Sequence, residues 1–547
     1  MSDSALWPML GVLLVVLYLL RQKPDARLKQ IPIIRYSDYL PDLFNRFIFY
    51  PKAKSMIYGG YEKFKNDPFR MLTGDGEIVV LPIKYVEELK HLPPSIISSL
   101  DAQFENALGE YTNIKVNSYL PSNTVRKRLT PSIARITPWI LDELRYAFDS
   151  VLPDCEGEIT RYYSMDFLTL SLIPGKGQWI TVKAHEMFVR LISRATSRVL
   201  AHSLRRNDQW LDIASNYSVN VGITILLLRP FPNFIRPFIA PFLPSVRQMK
   251  KQLQFAKNLF VPMIEERRAA EAANDPSYVK PDDFLQWMMD MAEDEQDLDP
   301  EALAHHNLIL MSLAVVHTSS IALCQILYDL ISMPEYIEPL REEIMQTLSS
   351  GWDNATKASF DAQKRLDSFL RESQRWGPPG ELSMHRIVKM PLTLSDGLHL
   401  PRGVHICFPS GPISKDPNFI SNPAIFDGFR WCQDPADRNA LISLSTTSNR
   451  SAEKQKKEQN GTSTGPSPTT NFISISPSNM HFGFGRQACP GRFFAASTIK
   501  AIMSRIIMEY EFKFEGDRVG WRPANIGIGE HIFPNTNTRV LFRKRQR

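Results

Sequence analysis

The residues best suited to do chemistry stand near the C-terminus, in Phe482-Gly483-Phe484-Gly485-Arg486-Gln487-Ala488-Cys489-Pro490-Gly491. Glycines and a Pro-Gly pair bracket a cysteine just ahead of a helical pattern, FFAASTIKAIMSRIIMEY. A cysteine at a helix N-terminus meets free backbone N–H groups and the positive end of the helix dipole, and both favour its thiolate. The glycines let a tight loop approach a flat ligand. This suits a thiolate that ligates a metal. A lone thiolate implies that the metal arrives with its other ligands supplied, as in haem. The competing reading is a structural cysteine after a glycine-rich turn. Two other constellations carry weaker signals. Glu372 and Arg375 share one helix face, which taken alone describes an ordinary ion pair. In Ala314-Val315-Val316-His317-Thr318-Ser319-Ser320 a histidine and a threonine lie inside an apolar run. The histidine is either a proton relay or a satisfied buried ring. The threonine either serves chemistry or bonds back to its own helix.

Elements must position these groups. Pro300–Met333 is apolar on almost every face and predicts a helix through the centre of the body. It would span ~50 Å at ~1.5 Å per residue. Pro334 ends it, and further helices are expected across Pro334–Ser349 and Phe360–Trp376. The period then shifts from 3.6 towards 2 over Met384–Pro409, with Asp396-Gly397 as a hairpin turn, so a small sheet follows. Leu228–Pro244, LRPFPNFIRPFIAPFLP, holds too many prolines for one regular helix. It is either a surface loop that dips into a membrane and guards an entrance, or an internal packed crossing.

The chain has 547 residues, 43% apolar and 22% charged, which excludes a mainly disordered, collagen-like or coiled-coil protein. A chain of this length can bury a large core and enclose a cavity. The 64 basic and 58 acidic residues leave a net charge of +6 without a concentrated basic stripe. That argues against a nucleic-acid partner and fits an anionic membrane or an acidic partner. The five cysteines, at 155, 324, 407, 432 and 489, are widely spaced without a CxxC pair, so neither a disulfide framework nor a zinc site is expected. Residues 1–22 predict a transmembrane anchor: Ala5–Leu20 is uncharged, and Arg21 and Lys23 follow it. Positive charge after the apolar run, not before it, opposes a cleaved signal and places the N-terminus in the lumen and the body in the cytosol. No later stretch reads as a span. Residues 23–50 read as a Pro-containing linker and 51–547 as the catalytic domain. Within it, 439–471 is a polar stretch expected as a disordered insertion.

Together these motifs resemble the cytochrome P450 family. Its F-x-x-G-x-x-x-C-x-G pattern is met at Phe482, Gly485, Cys489 and Gly491. The resemblance implies a mainly α fold with small β-sheets, preceded by one transmembrane helix, and haem b with Cys489 as its axial iron ligand. Phe482, Gly485, Gln487 and Gly491 would form the cofactor cradle. Gln487 stands where the family usually has a propionate-binding Arg or His, so its contact would lack charge. Arg386 and Arg126 are the expected propionate contacts, with Arg128 competing for the second place. Glu372 and Arg375 match the family's ExxR. Phe426-Asp427-Gly428-Phe429-Arg430-Trp431 would supply Arg430 as the third member of a structural triad that pins the cysteine loop. Thr318 matches the threonine that helps protonate bound dioxygen, while Val315 replaces the family's glycine and His317 its acid.

The wording LDSFLRESQR, LSMHRIV, LSDGLHLPRGV and FDGFRW resembles fungal members of secondary metabolism. These act on terpenoids, indole diterpenes, meroterpenoids and alkaloids. A monooxygenase of a lipophilic substrate is therefore expected in the endoplasmic reticulum membrane. Its electrons would come from NADPH through a partner flavoprotein reductase, with cytochrome b5 as a further donor. The altered Ala314–Thr318 segment leaves two other readings open. One is an isomerase, dehydratase or peroxide-dependent enzyme on the same fold; the other is a haem sensor without turnover.

Overall fold

The computed structural model describes residues 24–152, 179–440 and 471–545, apart from residues 75, 116, 117, 232, 439, 517 and 519. The expected anchor at 1–22 and nearly all of the expected insertion at 439–471 lie outside them. Helices α1 (Asp42–Lys63), α2 (Ser99–Asn106), α3 (Thr130–Val151), α4 (Ala184–Leu200), α5 (Asp208–Leu228) and α6 (Pro244–Ala272) precede the central helix α7 (Pro300–Ser332). Helices α8 (Lys364–Trp376) and α9 (Arg492–Glu509) follow it.

Local chemistry explains their limits. The Asn207 side chain accepts from Trp210 N at the start of α5, and the Asp299 side chain accepts from Glu301 N at the start of α7, with Pro300 in the first turn. Leu303, Leu308, Met311, Val316, Leu323, Leu327 and Leu330 are fully buried around α7, so this helix is the spine of the main core. Its middle, Leu310–Val316, is π-helical. Two later helices, α5 and α7, are long and apolar enough to cross a membrane by length and composition. This differs from the sequence expectation, because core helices meet the same criterion; half of the apolar window of α7 is buried inside the body.

Strands β1 (Ile33–Ile34), β2 (Phe69–Leu72), β3 (Glu77–Val80), β4 (Ile97–Ser98), β5 (Ser383–Val388) and β6 (His405–Phe408) form one sheet in the order β1-β2-β3-β6-β5-β4. Arg386 pairs with Ile406 and Ile387 with His405 in antiparallel register, with an irregularity at Met384, whose φ is +54°. The hairpin of β7 (Ile526–Ile528) and β8 (His531–Phe533) lies beyond α9. A three-stranded sheet joins Tyr510–Phe514, Arg539–Lys544 and Ile180–Lys183. The Asp396-Gly397 turn closes a short hairpin, with Gly397 at φ +89°.

From Asp25 onward the expected linker folds onto the body. Leu28 and Ile31 are buried, β1 pairs with β2, and α1 runs straight through the 50/51 boundary. Prolines there turn the chain without releasing it. Leu228–Pro244 is not an internal crossing: Phe234, Phe238 and Phe242 are exposed, and short turns at Arg236–Ile239 and Ala240–Phe242 replace a regular helix.

Candidate functional site

The cysteine loop is fixed by its backbone. Gly485 has φ +74°, and a Cβ on it would collide with the Lys90 carbonyl oxygen. Arg486 N donates to that oxygen at 2.9 Å, and Cys489 N donates to Phe482 O at 2.8 Å, closing the loop. Phe482 stacks edge-on with Phe472, centroids 5.5 Å apart. Gln487 spends its amide on backbone: Nε2 donates to Ile97 O at 3.1 Å, and Oε1 accepts from Ser99 N at 2.9 Å. It thereby stitches the loop to β4 and the start of α2. Cys489 lies just before α9, with its side chain open although protein surrounds it. Burial pushes its thiol up, while the N–H groups of Gly491 and Arg492 and the Arg492 and Arg126 charges pull the other way. Burial outweighs these in the protein alone, so a thiolate there calls for further positive charge at the sulfur.

Glu372 is fully buried on α8 and is the hub of the second cluster. Its Oε1 lies 2.6 Å from Arg375 Nη2 and its Oε2 2.9 Å from Arg375 Nε, a bidentate pair. Arg430 Nε reaches Oε1 at 3.3 Å, Trp431 Nε1 donates to Oε2 at 3.1 Å, and Asp427 N donates to Oε1 at 3.1 Å. Arg375 and Arg430 then donate to the carbonyls of Pro423 and Ile425 at 2.9 and 2.7 Å. These three residues are brought together, and the segment they tie down is 421–431. The cysteine loop has its own ties through Lys90 and Gln487.

On α7, Ala314 and Thr318 are exposed while Ser312, Val316, Ser319 and Ser320 around them are buried, so the two residues, one helical turn apart, share an open face. Thr318 Oγ1 donates to Ala314 O at 2.7 Å. His317 points elsewhere: its Nε2 lies 2.6 Å from Ser215 O of α5, and its ring is 5.7 Å from that of His185 on α4. Burial lowers its pKa.

Arg386 is 6% exposed on β5, and its Nη1 donates to His385 O at 2.7 Å. Among the described residues it has no carboxylate within ion-pair distance, and burial lowers its pKa to about 10. A buried guanidinium without an acid awaits an anion. Gly491 adds a second sign: a Cβ there would meet no protein atom. An open cysteine, a bare glycine beside it and an unpaired buried arginine fit an anionic, planar group that brings a metal to the sulfur. Arg126 is exposed and donates to Arg486 O at 3.0 Å; with Arg486 and Arg492 it lines a cavity of about 230 Å³ beside the loop.

Sequence reasoning missed a chain of ionisable groups. Glu530 Oε1 is 2.9 Å from His385 Nε2, His385 Nδ1 is 3.0 Å from His405 Nε2, and His405 Nδ1 is 3.7 Å from Glu105 Oε1. Four separate segments supply these residues, so spacing carries no signal for them.

Comparison with known proteins agrees with the motifs. The family model described as Cytochrome P450 matches residues 220–528. The chain is 42% identical over 546 residues to the cytochrome P450 monooxygenase penP of Penicillium crustosum, covering 99% of this chain and 95% of that protein. It is 42% identical to janP of Penicillium janthinellum, covering 97% and 94%, and 41% identical to paxP of Penicillium paxilli, covering 99% and 96%; both are named cytochrome P450 monooxygenases. The chain therefore belongs to the cytochrome P450 family and is a haem-thiolate monooxygenase.

Proposed function

We propose that this enzyme oxidises a lipophilic secondary metabolite of the terpenoid, indole diterpene, meroterpenoid or alkaloid class. The observation that carries the site assignment is the open Cys489 in a loop with bare Gly491, together with the unpaired buried Arg386. Bound haem would supply dioxygen activation and insertion of one oxygen atom into a C–H bond. The Cys489 sulfur would hold the iron, with Phe482, Gly485 and Gly491 shaping the cradle and Gln487 bracing it from behind. Arg386 would neutralise a propionate, and Arg126 would serve the other from the rim. Thr318 is exposed on α7, and its hydroxyl could turn from the Ala314 carbonyl towards a ligand and place a proton there. The Glu372–Arg375–Arg430 cluster would keep 421–431 rigid and take no part in the chemistry.

The basic residues around the cavity at Arg126, Arg486 and Arg492 suit an acidic electron donor, and NADPH–cytochrome P450 reductase, with cytochrome b5, is the proposed source. Residues 1–22 would anchor the chain in the endoplasmic reticulum with a lumenal N-terminus. The exposed phenylalanines of Leu228–Pro244 would rest on the cytosolic leaflet, where an apolar substrate enters.

The test is a mass-resolved comparison of host metabolites with and without the gene, followed by reconstitution. Expected is the loss of a product and accumulation of a compound one oxygen lighter, converted in vitro only with NADPH and reductase. Lost and gained compounds that are isomers, or that differ by water, would favour the oxygen-free enzyme. NADPH consumption without any product would favour the sensor.

A further inference from the structure

The residue before Thr318 makes a contact that its replacement of an acid does not suggest. His317 Nε2 lies 2.6 Å from the Ser215 carbonyl oxygen. A carbonyl can only accept, so Nε2 carries the proton and donates it. Burial holds the ring neutral, which leaves Nδ1 without a proton. The neighbouring ring, His185, is itself lowered to about 4 by burial and brings no charge. Among the described residues no carboxylate approaches His317, so its surroundings hold a neutral donor rather than feed a proton through it.

Its partner lies on a helix with a special place in the molecule. Helix α5 runs from Asp208 to Leu228 and leads straight into the exposed phenylalanine segment. Ser215 is itself fixed, its Oγ 3.2 Å from Ser193 Oγ on α4 and donating to Leu211 O at 2.8 Å. At the other end of the tether, the π-helical Leu310–Val316 stops at the residue before His317. A π turn is a local departure from α geometry, and such turns gather at functional sites. The Thr318 hydroxyl follows, donating to Ala314 O at 2.7 Å and Val315 O at 3.3 Å, both inside that turn. The His317 ring thus joins the helix that ends at the proposed substrate entrance to the turn that orients Thr318.

We propose that His317 is a positioning residue: its ring ties α5 to the central helix at Ser215 and thereby sets the Thr318 hydroxyl, and it does not pass protons itself. The proposal rests on the reading of Thr318 given above. A glutamine can present its Nε2 where the histidine presents its own, yet it cannot shuttle protons. A phenylalanine fills the space and donates nothing.

The experiment compares full-length, haem-loaded wild type, His317→Gln and His317→Phe, each showing the thiolate-type band of the reduced carbon monoxide complex. His317→Leu replaces the Phe variant if that one loses haem. Two measurements are made: hydrogen–deuterium exchange of amides 213–219 and 310–318, and the fraction of NADPH electrons released as hydrogen peroxide with reductase across pH. Expected for His317→Phe is exchange about 2- to 10-fold faster in both segments together, the span that one hydrogen bond commands, with a raised peroxide fraction. Expected for His317→Gln is near-wild-type exchange and an unchanged pH profile of peroxide release. Equal peroxide defects in Gln and Phe would show that protons pass through the ring and would overturn the proposal. So would unchanged exchange in His317→Phe, or faster exchange with unchanged peroxide release. A Thr318→Ala control separates the two layers. If it leaves peroxide release untouched, the Thr318 reading fails, while the exchange data still report whether the tether exists.

Discussion

Arg386 shows how one residue can argue for a ligand. It is held on β5 with 6% exposure and no carboxylate within ion-pair distance among the described residues. Leaving an ion buried without a counter-charge costs several kcal/mol in real proteins. The propionate contact proposed for it would answer that charge when the protein is loaded. The two states then respond oppositely to its removal. In haem-free protein, Arg386→Met deletes an uncompensated charge and is expected to leave the thermal midpoint unchanged or raise it. In loaded protein the same change deletes a charge-assisted contact of about 1.5–3 kcal/mol, so haem loss to an apo-acceptor should quicken roughly 10- to 100-fold. Equal destabilisation of both states would mean that Arg386 serves the fold alone.

At the scale of elements, β5, β6, α2 and the β7–β8 hairpin are joined by the chain Glu530–His385–His405–Glu105, with His531 Nε2 3.9 Å from Glu530. Burial pushes the Glu530 carboxyl up, but the charge and hydrogen bond of His385, with the charges of His531 and His405, more than offset this and hold it at about 2 against an ordinary 4.5. A depressed carboxyl contributes stability above its unfolded pKa and loses it as pH falls towards its folded one. Wild type should therefore exceed Glu530→Gln in thermal midpoint at pH 6, and the gap should close as pH falls from about 4.5 towards 2. A gap that stays constant over that range would show that the chain does not depend on the carboxylate charge. This network also marks the limit of what the sequence reveals. The cysteine loop was legible because Phe482 to Gly491 is contiguous and each position has a local reason. The central helix was legible because its apolar pattern is long. The Glu372–Arg375 pair was legible through its helical spacing, but the segment it ties down was not, since that depends on where Pro423 and Ile425 come to lie. The π turn, the backbone partners of Gln487 and the docking of residues 24–50 are likewise products of long-range packing, and neither spacing nor propensity encodes them.

At the scale of the whole molecule, part of the exposed apolar surface gathers on neighbouring elements. Gly529 N, in the turn of the β7–β8 hairpin, donates to Tyr50 O of α1 at 2.8 Å, so the exposed Phe44 and Phe47 of α1 and Ile526 and Ile528 of β7 belong to neighbouring elements. Arg229, at the end of α5, bonds the Asn106 carbonyl and bears on His531 of the same hairpin. The segment after α5, with Phe238 75% and Phe242 73% exposed, therefore starts beside that hairpin. Exposed phenylalanines of this density mark an interaction surface, and with a membrane anchor proposed for the same chain, lipid is the partner proposed for them. Each ring moved from water into an apolar phase contributes about 1.5–3 kcal/mol. Two rings together should govern whether the body holds to a bilayer once the anchor is gone. A chain begun at residue 24 is expected to co-float with anionic phospholipid vesicles, and Phe238→Ser with Phe242→Ser should lower its partition at least ~100-fold. Partition unchanged by the double substitution would place the lipid contact elsewhere, and a wild-type chain that never floats would leave the anchor as the sole tie to the membrane. In the expected case the substrate entrance lies at the bilayer, and the helix that leads to it is the one that His317 holds at Ser215.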